Sequence, residues 1–276
     1  GTNETASSYL TSLMDGKNVF SYPKPVSLIK YLTNFICKDS DIVMDFFSGS
    51  GTTADAVWRY NVENKEVALK YILVQLPENL DENLKTADAN SKELLLNGIQ
   101  LLDRINKPHK LTELAKYRLA KTIDSIKQDN PDCQMDLGFR VFRIDESNFE
   151  DVERTPKEYN QDQLDLFLNN VKSDRTDLDL LFGCMLDWGV KLSLPMSSEE
   201  VDGKMIYTVN DGDLVACFAN KVTDKVVKAM ADKQPLRVIF RDSCFEQDAD
   251  KINIYETFKQ LLDWSDKDVE KNIRVI

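Results

Sequence analysis

The chain has 276 residues, 42% hydrophobic and 30% charged, with a formal net charge of −12 at pH 7. That length suits one large or two ordinary domains. No apolar run reaches the roughly 18–20 residues of a membrane span, and the opening "GTNETASSYL" lacks the basic start and apolar core of a secretory signal, so the expected location is the cytoplasm. Cys37, Cys133, Cys184, Cys217 and Cys244 are scattered and His109 is the sole histidine, a pattern that excludes Cys/His zinc sites and a disulfide framework. The negative charge falls mainly after residue 110, which makes the second half a poor wrapper of a phosphate backbone.

In chain order, residues 4–14 read as a short amphipathic helix. Pro25 suits the first turn of a second, with Leu28, Ile29, Leu32, Phe35 and Ile36 at helical spacing. "DIVMDFF" (41–47) reads as a buried parallel strand. A glycine loop follows, then a helix from near Thr52 that carries Ala54, Ala56, Val57 and Trp58 and stops near Asn61. "ALKYILVQL" (68–76) is a second strand ended by Pro77, which completes one right-handed βαβ unit. Helices are expected over 92–105 and 111–127, and "NPD" at 130–132 is a break. Beyond it come a strand over 137–144 and helices near 161–171 and 176–188, the latter capped by Gly189. "MIYTVNDGDLVACF" reads as a hairpin turning at 210–213. A helix near 222–232, a strand over 236–240 and a helix near 252–263 close the series.

The loop Gly49-Ser50-Gly51-Thr52-Thr53-Ala54 fits the dinucleotide pattern Gly-x-Gly-x-x-Gly/Ala, but alone it also fits a plain tight turn from strand to helix. No lysine follows Gly51, so a triphosphate loop is excluded. A pyrophosphate would lie near Asp45 and be repelled. S-adenosylmethionine carries no phosphate. Asp45 would favour its ammonium, while the loop amides and the hydroxyls of Ser48, Ser50, Thr52 and Thr53 could receive its carboxylate.

The flanking residues decide between these. "FSYPKP", then an apolar helix, then "DFFSGSGTT" closely resembles two motifs of the amino-methylating DNA methyltransferases of the β arrangement. The resemblance implies an S-adenosylmethionine pocket formed by Phe20, Lys24 and Pro25 together with Asp45, Phe46, Phe47, Ser48, Gly49, Ser50, Gly51, Thr52 and Thr53. "GTNE", "FSYPKP", "DFFSGSGTTADAV", "YILVQLPE", "GFRVFRID" with the following "SN", and the terminal "RVI" occur in the order seen in Mod subunits of type III restriction–modification systems. The likeness covers nearly the whole chain and is strongest over 20–80. It implies an α/β fold: a partial, Rossmann-like methyltransferase sheet over 1–135 and an α+β C-terminal domain over 136–276 for interaction or dimerisation. It also implies N6-adenine methylation of double-stranded DNA, a Res nuclease–helicase partner and a Mod homodimer, with no membrane contact.

Two departures from the family pattern stand out. The acidic residue that often binds the ribose at the end of the second strand is Gln75 here, with Glu78 the alternative. No two prolines are adjacent, so the Asp/Asn-Pro-Pro-aromatic motif that holds the flipped base is absent and no catalytic residue is assigned. In the β arrangement that motif and the recognition region precede "FSYPKP". The expectation is therefore a C-terminal portion, inactive alone and binding S-adenosylmethionine weakly or not at all; the alternative is a non-catalytic assembly module for Mod–Mod or Mod–Res contact.

Other clusters read as ordinary. Asp242, Glu246, Asp248 and Asp250 form an acidic loop with no metal spacing, so no metal ligands are expected. "NDGD" is a turn, and His109 lies in a basic loop. Lys107, Lys110, Lys116 and Arg118 read as a solvated helix face, with contact to DNA as the alternative.

Overall fold

A computed structural model describes residues 2–150, 170–245 and 247–276. The chain divides into two compact units, Gly1–Phe142 and Arg143–Ile276.

The first unit is built on a parallel pair, β1 (Ile42–Asp45) and β2 (Lys70–Leu73), in register from Ile42 opposite Lys70 to Asp45 opposite Leu73. Helices α1 (Asn3–Leu13), α2 (Val26–Ile36), α3 (Thr52–Glu63), α4 (Leu80–Thr86), α5 (Ala89–Arg104) and α6 (Leu111–Asp129) complete it. Strand alternation puts Val43, Tyr71 and Leu73 towards α3 and its apolar neighbours, as a period of two demands. The opposite face is bare: Ile42, Met44, Ile72 and Val74 are 59%, 57%, 46% and 39% exposed. The expected buried strand is thus covered on one face only. The stripe of α2 is also uncovered, with Leu28, Tyr31, Leu32, Phe35 and Ile36 exposed and only Thr33 buried.

Most of the unit's apolar burial lies among its helices. Leu10, Met14, Val19, Phe20, Leu80, Leu101, Leu102 and Leu114 form one cluster, and a fully buried leucine is worth about 1.5–3 kcal/mol. Helix α3 runs past the expected stop at Asn61. That side chain instead clasps the backbone of Leu69, donating through Nδ2 to its carbonyl (2.9 Å) and accepting its N–H (3.1 Å). No strand forms over 137–144. Leu137 and Phe139 pack against Trp58 rather than joining the sheet, while Val141 and Ile144 stay exposed.

His109 sits ahead of α6 with Nδ1 2.9 Å from Asp81 and Nε2 2.8 Å from Asp103. Only an imidazolium donates from both nitrogens, so hydrogen bonds to Asp103 and then Asp81 raise its pKa above the ordinary value. A raised folded pKa gives stability that is complete below the unfolded value, about 6.5, and lost as pH rises through the folded one. Urea midpoints of the wild type should therefore fall relative to His109→Gln as pH is raised from 5 to 9. A difference between the two that stays constant with pH would refute the clip.

The second unit contains a five-stranded sheet in the order β3 (Met196–Val201), β4 (Lys204–Val209), β5 (Leu214–Cys217), β6 (Val238–Phe240), β7 (Ile273–Val275). The β3–β4 and β4–β5 pairs are antiparallel; β5–β6 and β6–β7 are parallel. The hairpin expected around 210–213 is present. A further one turns at Asp202-Gly203, both at positive φ, as a two-residue turn between twisted strands requires. Helix α7 (Asp177–Asp187) packs on one face through Leu180, Leu181, Cys184 and Met185. Helices α8 (Asp224–Ala231), α9 (Asp248–Leu262) and α10 (Asp266–Asn272) pack on the other around Phe240 and Phe258. As expected, Gly189 ends α7: its N–H reaches Leu186 O and that of Val190 reaches Met185 O, at 3.0 and 2.8 Å, the paired bonds of a Schellman cap. The helix expected near 161–171 falls outside the described residues over 161–169, while Val171 makes an isolated bridge with Phe149.

All five cysteines are free. Burial pushes the Cys184 thiol up to about 11 and Cys244 up to about 12, which keeps both unreactive at neutral pH. No helix among the described residues is long and apolar enough to cross a membrane.

Candidate functional site

The carboxyl ends of β1 and β2 open on the same side, which is where ligands bind in parallel sheets. The chain leaves β1 at Asp45, turns through residues 46–51 and enters α3. Gly49 and Gly51 take φ of +51° and +80°, backbone that suits glycine. Four short bonds shape the turn. Val74 N donates to Asp45 O (2.8 Å), Ser48 N to Val74 O (3.2 Å) and Gly51 N to Ser48 O (2.7 Å). Gly49 N donates to the side-chain oxygen of Gln75 (2.8 Å).

Asp45 has both carboxylate oxygens engaged within the loop: Oδ1 accepts from Phe47 N (3.1 Å) and Oδ2 from the Thr53 hydroxyl (2.7 Å). It remains half-buried, and a carboxylate with about four acceptor positions has capacity left. The hydroxyls of Ser50 and Thr52 lie 3.2 Å apart, and Ser48, Ser50, Thr52 and Thr53 are all buried. Phe46 and Phe47 point outward, 62% and 83% exposed, with ring centroids 5.3 Å apart. Gly49 faces open space: a Cβ there would meet nothing nearer than Phe47 O at 4.0 Å. Helix α3 starts without a side-chain cap, since its N-cap is Gly51.

The other expected residues are less close-knit. Gln75 lends its oxygen to Gly49, and its amide nitrogen meets Leu76 O at a long 3.4 Å. Glu78 is exposed, with Oε2 accepting from Asn83 (3.1 Å). Lys24 is exposed and Pro25 buried. Phe20 is 8% exposed and packs with Leu10, Met14 and Val19 in the helical cluster.

One residue read as part of a solvated helix face is the opposite. Arg118 on α6 is 1% exposed. Its guanidinium donates to Gly51 O (2.8 Å) and pairs with Asp55 (2.6 Å), itself wholly buried in the first turns of α3. Asp55 also accepts from Arg59 (2.8 Å) and from the Tyr9 hydroxyl (2.9 Å). The signal was present in the spacing: Leu114, Arg118 and Thr122 share one face of α6, all buried, so Arg118 stands where an apolar residue is expected. Lys116, by contrast, pairs with Glu113 at the surface.

Among the described residues no group of three or more His, Cys, Asp or Glu is placed to hold a metal. Asp242 pairs with Lys251 at 3.6 Å, and Asp250 accepts from Gln247 N. Glu246 and the side chain of Asp248 are outside the described set.

Residues 3–77 match the family model of a DNA methylase. The StyLTI Mod subunit of a type III restriction–modification enzyme from Salmonella typhimurium is 30% identical over 152 residues, 55% of this chain and 19% of that protein. The EcoP15I Mod subunit of Escherichia coli is 28% identical over 262 residues, 87% of this chain and 33% of that one. The chain is similar to type III Mod subunits. The EcoPI Mod subunit of Escherichia phage P1 adds 26% identity over 256 residues, 89% of this chain and 35% of that one. The chain thus spans about a third or less of the length of the curated relatives it matches. The family-model match contains β1, the glycine loop, α3 and β2, so family likeness and loop geometry fall on the same residues.

Proposed function

We propose that this chain supplies the S-adenosylmethionine-binding half of a type III DNA N6-adenine methyltransferase. The observation that carries the reading is the loop itself. At the carboxyl ends of two parallel strands Gly49, at positive φ, faces open space, Gly51 turns the loop into α3, and a carboxylate, Asp45, lies at the edge. That donor set fits a phosphate-free, cationic cofactor better than a pyrophosphate.

In this reading Asp45 holds the ammonium, and the uncapped start of α3 takes the carboxylate. Phe46 and Phe47 offer aromatic faces to the adenine. Gln75 spends its oxygen on Gly49, so the ribose hydroxyls fall to Glu78, with the Gln75 amide nitrogen as an added donor. Lys24 and Pro25 belong to the same pocket by resemblance. The cofactor, when bound, supplies an electrophilic methyl group; the residues here orient it and exclude water. The group that receives the adenine comes from a Pro-Pro-aromatic segment, which this sequence does not contain.

The partial-sheet reading is supported by the bare face of β1 and β2. A two-stranded sheet is marginal alone, and contiguous exposed apolar surface marks an interaction site. Residues 136–276 we assign to assembly, through Mod–Mod contact or docking of a Res subunit, with double-stranded DNA met mainly by other parts of the enzyme.

The test is calorimetric. Joined to a segment carrying the Pro-Pro-aromatic motif, the chain should bind S-adenosylmethionine, and Asp45→Ala should weaken binding about tenfold or more, as expected for a lost charge-assisted contact. The 276-residue chain alone should bind weakly or not at all. Unchanged affinity in both Asp45→Ala and Gly49→Val would sink the site.

A further inference from the structure

We infer that Arg118 is the positioning residue of the glycine loop, holding it in its ligand-ready form from a helix more than sixty residues further along the chain. The inference rests on the cofactor reading for its purpose but not for its geometry. A buried arginine needs compensation, because leaving an ionised group unpaired in the interior is expensive. Asp55 alone would provide it. Arg118 does more: the second arm of its guanidinium fork donates to Gly51 O. Gly51 is the residue where the loop becomes helix, and its φ of +80° sets the turn.

The carbonyl is otherwise weakly held, since Asp55 N approaches it only at 3.5 Å. The next residue on α6 closes the same point from the side. Leu119 Cδ2 would lie 3.0 Å from a Cβ on Gly51. Arg118 and Leu119 therefore form a two-point seat, one polar and one steric, under the loop-to-helix junction. Arg59 and Tyr9 complete the network: Arg59 donates to the other carboxylate oxygen of Asp55, Oδ1, and the Tyr9 hydroxyl to Oδ2, the oxygen that Arg118 binds; the Arg59 guanidinium also reaches the Tyr9 hydroxyl at 3.0 Å. Among the described residues Arg118 Nε, buried, has no partner, so the side chain is placed by its two terminal nitrogens alone.

A merely structural ion pair would be served by any cation facing Asp55. A positioning role needs the planar fork, because a lysine ammonium is a point charge that does not span both acceptors in this geometry. Hydrogen–deuterium exchange of the 276-residue chain without ligand separates the two. In Arg118→Lys the amides of residues 48–54 should exchange about tenfold faster, as expected when a charge-assisted bond that closes a local opening is lost. Those of α1 and α5 should be unchanged. The double variant Arg118→Met with Asp55→Asn removes the buried charge altogether and should show the same loop-confined increase, even if Arg118→Lys folds poorly. Exchange over 48–54 that stays at the wild-type rate in both overturns the inference. So does an increase spread equally over α1, α3, α5 and α6. No cofactor is needed: failure of S-adenosylmethionine to bind would overturn the proposed function and leave this result standing.

Discussion

Replacing Asp55 with alanine should destabilise the N-terminal unit by about 3–5 kcal/mol, the range for removing one partner of a buried ion pair. The reason lies in who is left behind. Asp55 is fully buried and balances Arg118, 1% exposed, and in part Arg59, whose side chain is 27% exposed. Arg59 can turn towards water; Arg118 cannot. Burial already pushes Arg118 down from its usual range, with Asp55 as the main opposing influence. Without it the charge sits uncompensated beneath the loop. Tyr9 loses an acceptor as well. Its hydroxyl is pushed up chiefly by burial and then by the Asp55 carboxylate, and without Asp55 the second contribution vanishes.

The measurement is urea unfolding followed by Trp58, in a background where Trp188 and Trp264 are phenylalanine. Arg118→Met added to Asp55→Ala should recover a large part of the loss, because the penalty is an orphaned charge rather than a missing contact. A double variant no more stable than Asp55→Ala alone would show that the network acts through packing instead.

Much of the fold of both units was legible because it follows from local rules. The βαβ order, the glycine turn and the cap at Gly189 each rest on a short pattern with a single physical solution. What was not legible depends on partners distant in sequence. "DIVMDFF" reads as a strand buried on both faces, yet only Val43 and Asp45 face inward while Ile42, Met44 and Phe46 are exposed. The pattern records the cover such a strand is suited to, not the cover present. Strand β3 escaped notice because Ser197–Glu200 are polar, as an edge strand's residues can be, although Asp202-Gly203 marked the turn. Residues 137–144 alternate like a strand but turn Leu137 and Phe139 towards Trp58 instead. Within the site, Asp45 and the loop could be found from motif and chemistry. Arg118 could be found only by asking why a charged residue occupies the apolar face of α6.

Gly51→Val should prove the most damaging substitution in the loop, at about 2–5 kcal/mol. Two separate effects combine. A β-branched residue at φ +80° is strained whatever surrounds it. In addition, the new side chain would press on Leu119, whose Cδ2 and Cγ lie 3.0 and 3.3 Å from the position of a Cβ. Gly49 separates these effects. It shares the left-handed backbone, at φ +51°, but faces open space. Asparagine tolerates that conformation, so Gly49→Asn should be mild while Gly51→Asn remains costly, the difference measuring contact with α6 rather than backbone strain. A double-mutant cycle of Gly51→Ala with Leu119→Ala should then show favourable coupling, since the smaller side chain gives the methyl room. Equal costs at the two glycines, with no coupling to Leu119, would mean that the loop is set by its own turn chemistry and that α6 is only a neighbour. Unequal costs would tie the loop's shape to the same helix that carries Arg118, so that the steric and polar contacts from α6 act on a single residue.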